Sequence, residues 1–228
     1  MVDVEREGPV ARIFLNRPEK ANALDSPALE ELRRALRELA ADRSLRTVIL
    51  GGRGRTFCGG ADVQELRSLT ASNAGAFVER IHRVCQAIRE LPVPVVARLH
   101  GAVIGAGLEI AAACDLRIAA EGTRFAMPEV RLGIASVVEA ALLPRLMGSG
   151  RAAWLVLTGE AIDARLALEW GLIERIEEPG TLQELVKNLL AGEPEALRMQ
   201  KQLLQLWDEA PLATSVTASI ERFARLHK

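Results

Sequence analysis

HGAVIGAGLEIAAACD, residues 100–115, joins an apolar run to a helix through three glycines. The run ahead of it, Val93 to Leu99, is short and β-branched, with Pro92 and Pro94 at its start, and reads as a buried strand. Gly101, Gly105 and Gly107 form the turn, and the small residues from Leu108 to Cys114 predict a tightly packed helix. A helix that opens from a glycine-rich turn starts with backbone N–H groups that have no partner. The positive end of its dipole lies behind them. One acid, Glu109, stands in the first turn between Leu108 and Ile110. The active site is expected here.

Upstream of this stretch, Val2–Glu5 and Val10–Leu15 read as two strands around Arg6-Glu7-Gly8-Pro9. Asn16 to Ala23 is a polar loop. Ser26 is expected to cap a helix with Pro27 at its first position, and Leu29, Leu32, Leu36 and Leu39 give that helix one apolar face. Thr47 to Leu50 predicts a strand ended by Gly51-Gly52. A second glycine-rich loop follows, RGRTFCGGAD at 53–62. Phe57 and Cys58 are poor residues for a solvated turn, and Gly59-Gly60 allow the backbone to approach another group closely. Neither glycine loop fits a nucleotide-binding spacing. Phe77, Ile81, Val84 and Ile88 mark one face of a helix that stops before Pro92.

Downstream, Asp115 to Ala120 reads as another strand. Strands alternating with helices imply right-handed crossovers and a mostly parallel sheet. Beyond Gly148 the pattern is helical: Asp163 is expected to cap one helix and Gly171 to end it. Further helices are expected over about Thr181–Leu190, Pro194–Leu206 and Leu212–Leu226. The organisation expected is an α/β core over residues 1–175 that carries the site, and a helical region over 176–228 for packing and assembly.

The chain has 228 residues, 49% of them hydrophobic, with 29 basic and 30 acidic side chains. That length and apolar content allow one large core. With a formal charge of −1, no field of one sign would recruit nucleic acid or an anionic membrane. Cys58, Cys85 and Cys114 are odd in number and far apart, and read as reduced, buried thiols of a cytoplasmic protein. The first residues are acidic, unlike a signal peptide, and no apolar run approaches the ~20 residues of a membrane helix. His82, His100 and His227 have no metal-ligand spacing, so no metal is expected.

Two acids stand in apolar text, Glu109 in IGAGLEIAAA and Glu129 in FAMPEVRLGI. Burying an unpaired carboxylate costs several kcal/mol, so such an acid has either a task or a partner. The plain alternatives are a helix N-terminal acid for Glu109 and an ion pair with Arg131 or Arg117 for Glu129. Two such acids, each beside a glycine-rich turn, favour general acid–base chemistry. Glu139, in SVVEAALLP, is a third candidate, its alternative being a helix-start residue facing solvent.

These residues carry a family resemblance. FCGGADVQEL resembles the FxxGADxxE loop of the enoyl-CoA hydratase/isomerase (crotonase) superfamily, and HGAVIGAGLEIAAACDLRIA resembles its glycine-rich turn and central helix. FAMPEVRLGI resembles its second acidic loop, and LTGEAIDARLALEWGLIERI the helical segment that follows. The resemblance spans about residues 3–208. It implies an α/β fold, a crotonase-like ββα-spiral core with a helical C-terminal region, assembled as a homotrimer or a dimer of trimers. It also implies an acyl-CoA thioester substrate. Coenzyme A is then part of the substrate, and no other cofactor is required.

By the same resemblance, the N–H groups of Ala61 and Ala106 form an oxyanion hole, and Ala23, Gly60, Asp62, Val63, Gly105 and Gly107 contact substrate. Glu109 and Glu129 match the two glutamates of the family's hydratases. They are placed to hold one water, with Glu129 facing C2 and Glu109 activating the water for C3; which is acid and which is base stays open. Two departures stand out. Ala106 replaces a glycine that many members have, and Ala135 to Glu139 replaces a PGxGG stretch near which isomerases and thioester hydrolases of the family carry another acid. That makes Glu139 a reserve catalyst. Leu66, Val103, Leu132 and Ile134 are expected walls of an apolar pocket. The reaction implied first is hydration of a 2-enoyl-CoA. Double-bond isomerisation or another enolate reaction is the alternative, and a non-catalytic CoA- or RNA-binding role is a third.

Overall fold

The structure is a computed structural model, and the residues described are 1–225. It opens with an antiparallel hairpin, β1 (Val2–Glu7) and β2 (Val10–Leu15), turning through Gly8-Pro9, so β1 runs two residues beyond its expected end. Helix α1 (Ser26–Ala40) is capped by Asp25 rather than Ser26: an Asp25 carboxylate oxygen accepts from Ala28 N–H at 2.9 Å. Ser26 is displaced to the first helical position by a distant partner. The Glu65 carboxylate takes its N–H at 2.7 Å and its hydroxyl as well.

The chain continues through β3 (Thr47–Gly52), α2 (Val63–Ser68), α3 (Ala74–Glu90), β4 (Val95–Leu99), β5 (Ala102–Ile104), α4 (Ala106–Ala113), β6 (Leu116–Ala119) and β7 (Arg124–Ala126). Two short 3-10 helices, Glu129–Leu132 and Val138–Leu142, lead into α5 (Leu143–Met147), α6 (Ser149–Thr158), β8 (Ile162–Asp163), α7 (Ala164–Trp170) and β9 (Arg175–Ile176). Asp163 caps α7 and Gly171 ends it, as expected. Helices α8 (Thr181–Ala191), α9 (Pro194–Glu209) and α10 (Leu212–Arg225) complete the described chain. The expected extension of α10 to Leu226, and His227, lie outside the described residues.

The main sheet has the order β1-β2-β3-β4-β6-β9, parallel throughout except for the β1–β2 pair. Side chains alternate across it. Val48, Leu50, Val95 and Ala97 enter the large core under α1, α3 and α4, whereas Ile49, Val96 and Ile118 meet Leu182 of α8 on the other face. Both faces are covered, which is why these strands read as unbroken apolar runs. Not legible were α2, α5, the two 3-10 helices, the strand β5, a second sheet ordered β5-β7-β8, and the strand β9, which joins the main sheet in a stretch expected to be helical. The strand β5 is three residues long between two glycines, too short to show a period. All three cysteines are buried and unpaired. Among the described residues no helix is long and apolar enough to cross a membrane.

Candidate active site

Two loops meet over the start of α4. Loop 53–62 is tied down by Asn22, which is 1% exposed. Its amide donates to the carbonyls of Arg53 at 2.9 Å, Thr56 at 2.6 Å and Phe57 at 3.2 Å, and its oxygen accepts from Arg17 N–H at 2.8 Å. Cys58 hydrogen-bonds with β5, donating to Ala102 O at 3.1 Å and accepting from Ile104 N–H at 3.0 Å. Leu24 brackets Ala61 by bonds to Gly60 O and Asp62 N–H, both 2.9 Å. Phe57 and Cys58 are fully buried, so this loop is no surface turn.

Gly107 makes the close approach possible, since a Cβ there would stand 2.6 Å from that of Cys58. A Cβ on Gly60 (φ +98°) would lie 3.0 Å from Ile104 O and 3.9 Å from Ala106 N, so the two loops abut. Ala61 and Ala106 thereby border one cavity of about 120 Å³, and among the described residues neither N–H has an acceptor. Ala106 is the first residue of α4, where an unpartnered N–H and the dipole's positive end coincide.

Every residue of α4 is buried, Glu109 included. Ala140 N–H donates to Glu109 Oε1 at 3.1 Å. Burial pushes the Glu109 carboxyl up to about 8; the Ala140 N–H opposes this, and the charges of Glu129 and Glu139 add to it. Glu129 opens the first 3-10 helix and is half-buried. Its Oε2 accepts the Ser136 hydroxyl at 3.0 Å, and its Oε1 lies over Gly105, where any Cβ would collide with it. Gly105 also sits at φ +52°, so side chains are disfavoured there twice over. The ion pairs considered for Glu129 do not form. Arg117 is held by Glu174 at 2.5 Å, and Arg131 donates to Thr158 O at 2.9 Å.

Gly60, Ala61, Val63, Gly105, Ala106, Glu109 and Glu129 therefore border one cavity, with Leu66, Leu132 and Ile134 among its apolar walls. Val103 is not a wall; it is fully buried in β5. Gly107 lies beneath the cavity against Cys58. Asp62 caps α2, accepting from Gln64 N–H at 2.9 Å, and Ala23 offers its carbonyl to Arg17 at 2.8 Å. Glu139 does not face solvent; it is 7% exposed and lies 2.7 Å from His82 Nδ1, off the cavity lining. Sequence reading missed Arg17 and Asn22, in a polar loop, and Ser136, a lone hydroxyl in the apolar stretch Ile134–Val138; none of them carries a periodic signal.

Two carboxyls and two unpartnered N–H groups around an otherwise apolar cavity can hold a developing oxyanion and move a proton beside it. A family model described as enoyl-CoA hydratase/isomerase matches residues 5–227. A short-chain-enoyl-CoA hydratase of Clostridium acetobutylicum is 34% identical over 228 residues, covering 97% of this chain and 87% of its own. An enoyl-CoA isomerase/hydratase of Mycosarcoma maydis is 34% identical, with 90% and 80% covered. The crystal structure of an enoyl-CoA hydratase from Bacillus anthracis matches with a TM-score of 0.94 at 31% identity, covering all of this chain and 91% of that one. Motifs, fold and relatives agree: the chain belongs to the enoyl-CoA hydratase/isomerase family, with the crotonase fold.

Proposed function

We propose that this chain is an enoyl-CoA hydratase, adding water reversibly across the C2=C3 bond of a 2-enoyl-CoA thioester. The observation that carries the reading is the convergence of Glu109, Glu129 and the free N–H groups of Ala61 and Ala106 on one apolar cavity. The thioester oxygen would accept from both N–H groups, which makes C3 electrophilic and stabilises the enolate. One such donor is worth roughly 10²–10³ in rate. A water between the carboxyls gives its proton to one of them as its oxygen bonds to C3, and the other supplies a proton to C2. Proton exchange between the two restores the starting state. With Glu109 pushed up to about 8, the free site holds a proton at neutral pH, as this scheme requires. The working assembly we expect is a homotrimer or a dimer of trimers in the cytoplasm.

The test is the ultraviolet absorbance of crotonyl-CoA with wild type and with Glu109→Gln. The absorbance should fall with wild type, and the variant should be slower by about 10² or more. The relative from M. maydis, named for both reactions, favours isomerisation as the second reading. Wild type that ignores crotonyl-CoA but raises the absorbance of a 3-enoyl-CoA would replace hydration by isomerisation.

A further inference from the structure

Behind Glu109, away from the cavity, lies a third carboxylate that the hydration scheme does not use. Glu139 belongs to the second 3-10 helix, Val138–Leu142, which packs between α3 and α4. Its side chain is more than nine-tenths buried. Oε1 meets His82 Nδ1 of α3 at 2.7 Å, whereas Oε2 is buried without a hydrogen-bond partner among the described residues. A buried carboxylate oxygen left unpartnered is costly. The residue before it, Val138, sits at φ +42°, a strained backbone for a β-branched side chain. The residue after it, Ala140, gives its N–H to Glu109 Oε1. Strain, an orphan oxygen and a hydrogen bond to Glu109 thus fall on three consecutive residues.

We propose that Glu139, anchored by His82, is a positioning residue of the active site. It acts on Glu109 from behind, through its charge and through the Ala140 N–H that it holds in place. This extends the acid–base reading of the site and rests on it. Among the described residues the groups facing Glu109 are few. They are Glu129 from the first 3-10 helix, Glu139 from the second, and Cys85 from α3, with His82 on the outer side of Glu139. Among these the carboxylates of Glu129 and Glu139 both disfavour a charge on Glu109. Burial, and then the charges of Glu139 and Glu109, hold the Cys85 thiol well above its usual range, so it stays neutral and adds no charge of its own. Glu129 borders the cavity and, in the proposed scheme, exchanges a proton during turnover. Glu139 is shielded from the cavity, which makes it the constant part of the field that keeps a proton on Glu109. His82 is half-exposed and ties this buried group to the surface of α3.

The test is a carbon-13 NMR titration of the glutamate side-chain carboxyls in the full chain, with Glu109→Gln assigning the Glu109 signal. Glu139→Gln removes the charge and should lower the Glu109 midpoint by about one pH unit. His82→Ala leaves the Glu139 carboxylate without its donor and loosens the Ala140 N–H, and should raise the midpoint. His82→Asn, which keeps an N–H near Nδ1, should restore it. A merely structural role would move both variants toward the ordinary carboxyl range, that is, in the same direction. Shifts of opposite sign support the proposal; shifts of the same sign, or none in folded protein, overturn it. Should Glu139→Gln not fold, the His82 pair decides: a raised midpoint with Ala and a wild-type midpoint with Asn supports the proposal, and any other pattern overturns it. The readout needs no substrate, so a failed hydratase reading shows in the crotonyl-CoA assay and not here.

Discussion

Glu109 puts a titratable group almost wholly out of bulk water, and the consequence extends beyond catalysis. Its carboxyl sits near 8 in the folded chain against 4.5 in the ordinary range. Between those values the native state keeps a proton that the unfolded chain has released. Stability therefore falls as pH rises through this window. The advantage is whole below about 4.5 and gone above about 8, and each pH unit crossed between them costs roughly 1.4 kcal/mol. Glu109→Gln keeps an acceptor for Ala140 N–H and removes the titration. Thermal melts from pH 5 to 8.5 should show the variant gaining on wild type with rising pH, by a few kcal/mol at the upper end. A gap that stays flat would mean that Glu109 ionises at an ordinary pH. Glu109 and Glu129 could be read from sequence because an acid in an apolar run is conspicuous. Asn22 and His82 could not. Neither is marked by its neighbours in sequence, and the importance of each comes from partners 31–57 positions away.

Elements were legible where a local rule sets them, and not where a distant contact does. The parallel strands show as apolar runs because both faces are covered, and α1 and α3 show as one-sided helices. The start of α1 was read one residue late because Ser26 is occupied by Glu65, 39 residues away. The position of α4 against loop 53–62 was legible only as three glycines. In the structure, Gly107 accounts for it. An alanine there would press its Cβ to 2.6 Å from Cys58 Cβ and 2.8 Å from Cys58 O, the latter rigid backbone. Gly107→Ala should push the helix off the loop, cost about 1–3 kcal/mol as overpacking does, and separate the N–H groups of Ala61 and Ala106. Losing one such donor is worth roughly 10²–10³ in kcat. Gly75→Ala in α3, where an added Cβ meets nothing within 4 Å, is the control and should leave turnover intact. Equal turnover in the two variants would show that the approach at Gly107 does not align the donors.

At the scale of the whole molecule, the question is what fixes the C-terminal helices to the sheet. Lys201 of α9 is one answer. Its side chain is 3% exposed, and its ammonium meets Asp115 at 2.8 Å and the carbonyls of Ile88 and Val93 at 3.0 Å each. It thus ties α9 to the end of α3, the entry to β4 and the exit from α4. Burial pulls the lysine below its usual range, and the Asp115 charge opposes that pull, so pairing is what keeps a buried cation tolerable here. Asp115 has a second duty, accepting Val95 N–H at 2.7 Å. Lys201→Met keeps the apolar stem and leaves that carboxylate without its cation. Removing one partner of a buried pair costs about 3–5 kcal/mol, and denaturant unfolding should register a loss of that order. Asp115→Asn keeps an acceptor for Val95 N–H but leaves the more deeply buried ammonium without its counter-charge, and should cost at least as much alone as Lys201→Met. Together the two substitutions should cost less than the sum of the singles, because neither charge is then left alone. Additive losses would mean that Lys201 and Asp115 act independently, and the attachment of α9 would then rest on its apolar face and on its other polar ties, such as Arg198 to the carbonyls of Arg43 and Leu45.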